Sequence, residues 1–192
     1  MIVLVLGLLI FLGVHSLRIV AEPLRSAMRA RLGEGAYKGL YSVVSIAGFV
    51  LLIWGFGLAR QQPVVLWQPM IWARHLAALL TLIAFVLLAA AYVPRNGIKA
   101  RVHHPMVLGV KVWALAHLLA NNTLAELLLF GAFLLWAVLS FRAARARDRA
   151  AGTVYPPGTA TGTAIAVVVG VAFWAFFAFW AHERWIGVRP LM

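Results

Sequence analysis

Residues 106–141 read MVLGVKVWALAHLLANNTLAELLLFGAFLLWAVLSF, and their reading decides the fold. The run is overwhelmingly apolar and is interrupted by Lys111, His117, Asn121, Asn122, Thr123 and Glu126. One helix crossing a bilayer core of ~30 Å needs about 17–25 apolar residues, so two crossings need at least about 34. The run therefore holds two spans back to back. Asn121–Asn122–Thr123 is the place for a tight turn, because asparagine and threonine favour turns and helix caps over helix interiors.

The same length rule applies outward along the chain. Apolar runs recur at 1–17, 40–59, 76–93 and 163–181. With 192 residues, 64% of them hydrophobic and only 11% charged, the chain lacks the polar side chains that cover a soluble domain. We expect an all-α polytopic membrane bundle of about six transmembrane helices, a single domain over 1–192. Its spans lie near 1–19, 40–59, 74–93, 104–120, 123–142 and 163–182. Ser42, Ser45, Gly48 and Gly55 share roughly one face of the second helix and are read as packing residues.

Charge sets the expected orientation. The chain carries a net +12, mostly in short loops. Arg18, Arg25, Arg29, Arg31 and Lys38 flank the first loop, Arg95, Lys99 and Arg101 lie in the third, and Arg142, Arg145, Arg147 and Arg149 in the fifth. Cytoplasmic loops of membrane proteins are enriched in Lys and Arg, which puts odd-numbered loops in the cytoplasm and both termini outside. This explains the basic balance without nucleic acid. The first run has no basic residues before it and four arginines after it, the reverse of a cleaved signal peptide, so it is expected to be retained. The expected location is the inner membrane, multi-pass, with lipid as partner.

The absence of cysteine removes disulfides, iron–sulfur clusters, thiolate zinc sites and covalent haem attachment. Six histidines remain. His75 and His182 read as interfacial, while His103 and His104 precede Pro105 at a helix start. Only His15 and His117 lie well inside apolar runs. Two neutral imidazoles from different helices suffice for a b-type haem, whereas non-haem iron or zinc wants carboxylates this chain scarcely has. Ala114 and Asn121 share the face of His117, leaving room for a flat ring and a hydrogen-bonding partner; Arg18, one turn from His15, suits a propionate. A buried histidine bonded to a neighbouring helix is the plainer alternative. Depth also counts against the pair: His15 lies toward the cytoplasmic end of its span and His117 about 20 Å into the fourth.

The stretches GVHSLRI (13–19), GEGAYKGLYSVVSIAGFV (33–50), WARHLA (72–77) and HHPMVLGVKVWALAHLLAN (103–121) together resemble the NnrU family. This is a group of bacterial membrane proteins linked to denitrification and related to plant 15-cis-zeta-carotene isomerase. The resemblance implies that the histidines at 15 and 117 hold a non-covalent haem b, and that the chain either isomerises a lipophilic polyene or serves as a haem-bearing electron-transfer or assembly protein. Two departures from the pattern stand out. The family's R-H-P reads His103-His104-Pro105, and a cysteine of the isomerase branch is Ala114 here, which removes any thiolate ligand. The basic turn Arg101, His103, His104 is also similar to membrane methyltransferases of the isoprenylcysteine type, although their tandem acidic signature is missing.

Overall fold

The computed structural model describes residues 1–68 and 70–191. Its helices are α1 (Ile2–Val20), α2 (Glu22–Ala59), α3 (Ile71–Tyr92), α4 (Gly97–Val102), α5 (Pro105–Ala120), α6 (Leu124–Ala150), α7 (Ala160–Phe176) and α8 (His182–Ile186), with a π-helical turn at Phe177–Ala181 between the last two. The molecule is a polytopic membrane helix bundle. Helix is the form that satisfies every backbone group within one segment where no water is available.

Among the described residues five helices are long and apolar enough to cross a membrane: α1, α2, α3, α6 and the run Ala160–Ile186. Only 17% to 22% of the residues in each spanning stretch are buried inside the protein, and each span also presents exposed apolar side chains for lipid. The expected span at 104–120 is the exception. Pro105 fixes the start of α5 and Asn121 stops it, leaving 16 residues. That is about 24 Å of helix, short of the ~30 Å hydrocarbon core. Its partner α6 has 27 residues and overshoots, carrying Arg147 and Arg149 on its last turn.

The turn between α5 and α6 is tight, as its asparagines and threonine require. Thr123 caps α6 in a capping box: its hydroxyl accepts from the Glu126 amide at 3.4 Å, and the Glu126 carboxylate accepts from the Thr123 amide at 2.9 Å. Glu126 thus sits at a helix start and not in the middle of a span. The α2–α3 connection crosses this turn: Leu66 donates to the Asn122 carbonyl at 2.8 Å, and Asn122 Nδ2 donates to the Trp67 carbonyl at 2.8 Å.

The first loop is a helix. Residues 22–32 form the opening limb of α2, with Pro23 in its first turn and Arg25 paired to Glu22 at 2.7 Å. The chain then turns sharply at Gly33, where φ is 77° and ψ 162°. Only glycine adopts that region without strain.

By packing, the long helices run in the order α2–α1–α6–α5–α3–α7. Small residues set the closest approaches. A Cβ on Gly48 would stand 2.7 Å from the Phe11 nitrogen, one on Gly55 2.2 Å from the Leu4 nitrogen, and one on Gly170 2.5 Å from the Val86 Cα. Gly48 and Gly55 thus do the packing expected of their face of α2, while Ser42 instead lines a cavity. A core of Leu4, Leu8, Leu52, Leu129 and Phe130 joins α1, α2 and α6.

One end of the bundle gathers the close of α1, α3 and α6 and the start of α2, α5 and α7. It carries five basic residues at the α1–α2 corner, three at 95–101 and four on the last turns of α6, against Arg60, Arg74, Arg184 and Arg189 at the other end.

Candidate functional sites: two histidine cavities

His15 and His117 are held in the same way. His15 Nδ1 lies 2.6 Å from the Phe11 carbonyl and His117 Nδ1 2.9 Å from the Trp113 carbonyl, each four residues back on its own helix. A carbonyl only accepts, so Nδ1 carries the proton, and in the neutral ring Nε2 keeps the lone pair. That is the arrangement by which proteins orient a metal-binding or basic imidazole.

The structure sets the two rings in different cavities. His15 lines a cavity of about 570 Å³ at the basic end, with Arg18 and residues of α2. Its ring touches Phe11, Tyr41 and Trp136. His117 lines a different cavity of about 510 Å³ toward the opposite end, between α3, α5 and α7. The two cavities share no lining residue. Measured along α6, Trp136 beside His15 and Phe130 beside His117 are six residues apart, about 9 Å of depth. The depths are thus closer than sequence spacing implies, but α6 packs between α1 and α5. His15 and His117 thus line separate cavities, on helices that each pack against α6. What joins them is a file of aromatic rings, His15–Phe11–Phe133–Trp113–His117, at centroid spacings of 4.3, 5.9, 5.6 and 5.1 Å.

The cavity of His117 has a second imidazole on its wall. His182 lies just after the π-helical turn, whose Phe177 and Ala178 also line the cavity. Its Nδ1 lies 2.7 Å from the Val188 carbonyl, which leaves Nε2 as the lone-pair nitrogen here too. A π-turn inserts a residue into the helical register and so re-aims the side chains beyond it; such turns are frequent at functional sites. The aromatic walls are Phe85, Trp113, Trp174 and Phe177, and Arg74 and Arg189 stand at the polar end. Arg189 is also paired with Glu183 at 2.6 Å. Asn121 lies on this wall, as expected of a neighbour of His117, and its backbone amide donates to the His117 carbonyl at 3.0 Å. Ala114 does not: it is fully buried and lines neither cavity, so its small size serves helix packing.

The remaining candidates form a third cluster, beyond the start of α5. His104 Nε2 lies 2.7 Å from Asp148, which also accepts from the Tyr155 hydroxyl at 3.0 Å. His103, in a left-handed conformation at φ 67°, contacts Arg145 and stacks on Tyr155 at 4.1 Å. Arg101 lies on the last turn of α4. The histidines of the basic turn thus tie α5 to the end of α6. Asn96, not singled out by the sequence, is the buried polar residue beneath this end. It donates to the Ala90 and Val93 carbonyls at 2.9 and 2.6 Å and accepts from Lys99 at 2.8 Å. Its position before Gly97 is a helix-cap signal.

Among the described residues no group of three or more His, Asp or Glu side chains converges as a metal-ligand set. A group that brings most of its own ligands, and takes one or two imidazoles, matches what the His117 cavity offers.

Comparison with curated proteins and with solved structures gives no match. The family model described as NnrU protein matches residues 3–190, nearly the whole of the chain. The chain belongs to the NnrU family.

Proposed function

We propose that this NnrU-family protein is a multi-pass inner-membrane protein, with its basic end in the cytoplasm, that holds one non-covalent b-type haem in the cavity of His117. The observation that carries this reading is that His117 and His182, each with Nδ1 committed to a backbone carbonyl, line one aromatic-walled cavity. His117 and His182 would hold the iron, and Arg74 and Arg189 would meet the propionates. The resemblance implies His15 in place of His182, but His15 lies in the other cavity. When bound, the haem supplies a one-electron redox centre. The chain's part is to orient the imidazoles and to exclude water with Trp113, Trp174 and Phe177. A role in nitrogen-oxide metabolism rests on the family's link to denitrification.

A second reading concerns what that centre does. The file of rings from His117 to His15 favours a haem-bearing electron carrier or assembly factor over a polyene isomerase, because it leads from the cavity toward the basic end. The missing thiolate at Ala114 points the same way. Purification in mild detergent after expression with ample haem, followed by a pyridine haemochrome assay, tests haem binding: a Soret band with about one haem per chain is expected. A colourless protein overturns the reading. Incubation of the loaded protein with zeta-carotene separates carrier from isomerase, since the carrier leaves the cis bond unchanged.

A further inference from the structure

The cavity of His15 is unlike that of His117. Its walls carry Arg18, Arg25, Arg29 and Lys38, with Glu34 as the carboxylate among the lining residues. Glu22 binds Arg25 at 2.7 Å, and Glu34 lies 2.7 Å from Lys38 and 3.9 Å from Arg29. Four cations thus meet two carboxylates, and Arg147 of α6 is near enough to interact with Arg18 and Arg25. Bringing like charges around one cavity costs free energy unless an anion joins them.

The corner is built by the backbone. Arg25 and Arg29 precede Gly33, while Lys38 and Tyr41 follow it, and all four line the same cavity across the kink there. A Cβ at Gly33 would meet nothing within 4 Å, so glycine is required there only by its φ of 77°.

We propose that this corner binds a phosphate-bearing anion, the headgroup of an anionic phospholipid from the surrounding leaflet, through Arg18, Arg25, Arg29 and Lys38. Guanidinium forks match phosphate oxygens in pairs, and basic pockets between membrane helices take such headgroups. The lipid source is favoured by what adjoins the corner: Leu40 and Val43, directly after it on α2, are 47% and 65% exposed and offer acyl chains an apolar track.

Native mass spectrometry of the detergent-purified full chain, titrated with phosphatidylglycerol, phosphatidylcholine or inorganic phosphate, tests this. Phosphatidylglycerol should bind at least tenfold tighter than phosphatidylcholine, and inorganic phosphate should compete with it. Arg18→Ala/Arg29→Ala should lose at least tenfold. Gly33→Ala, which keeps every charge but strains the corner, should lose affinity as well. Arg25→Lys/Arg29→Lys, which keeps the charge but not the forks, should lose less than Arg18→Ala/Arg29→Ala. Binding of inorganic phosphate with no preference between the lipids would keep the phosphate site but overturn its lipid source. Equal binding of both lipids with no phosphate competition, or undiminished binding by a folded Arg18→Ala/Arg29→Ala protein, overturns the proposal.

Discussion

Gly55 of α2 lies directly against the backbone of Leu4 in α1: a Cβ there would stand 2.2 Å from the Leu4 nitrogen and 2.6 Å from its Cα. Backbone cannot give way as a flexible side chain can, so the helices must separate if anything larger is placed at 55. Gly55→Leu should destabilise the bundle by about 3 kcal/mol or more, at the upper end for overpacked cores. Gly13→Ala is the control, because a Cβ there meets nothing within 4 Å. It should be neutral or stabilise by up to about 1 kcal/mol, as alanine replaces glycine in a helix. Thermal melts in detergent compare the two; equal melting temperatures would contradict the packing account.

Thr123 and Glu126 close the α5–α6 turn by satisfying each other's backbone amides. Thr123→Ala should cost about 1 kcal/mol, the usual value of a lost cap. Thr123→Ser, which keeps the hydroxyl, should cost much less. Hydrogen exchange at the first amides of α6 provides the local readout, with faster exchange in the alanine variant only.

The Tyr155 phenol lies above its ordinary value of 10.0, because burial disfavours the phenolate and Asp148 both accepts its hydrogen bond and repels its charge. A raised folded value means the neutral phenol stabilises the fold. That contribution is complete below the unfolded value near 10 and is lost as pH rises through the folded one. Ultraviolet difference titration should show that the tyrosine removed by Tyr155→Phe ionises late. Asp148→Asn should move that tyrosine's transition to lower pH; an unchanged transition would contradict the coupling.

The turn at Asn121–Thr123 was legible because its signals are local: two asparagines, a threonine and a glutamate three residues on. The opening limb of α2 was not. Its dense charges and the glycines that follow it read as loop, although Pro23 and the Glu22–Arg25 spacing also suit a helix. His117 was legible from its depth in an apolar run. His182 was not, since its place depends on a π-turn and on a tail folding back so that Arg60 reaches the Ile186 carbonyl at 2.7 Å. The partners of His103 and His104 lie more than 40 residues away on α6, and no spacing rule connects them.

The central claim, a haem in the cavity of His117, is tested most directly by the spectra of three single variants of the haem-loaded protein. His117→Ala and His182→Ala should each lose haem or convert its spectrum to that of a five-coordinate iron, while His15→Ala should retain the parent spectrum. If His15→Ala loses the haem and His182→Ala keeps it unchanged, the iron belongs with His15 and the account of the two cavities is wrong.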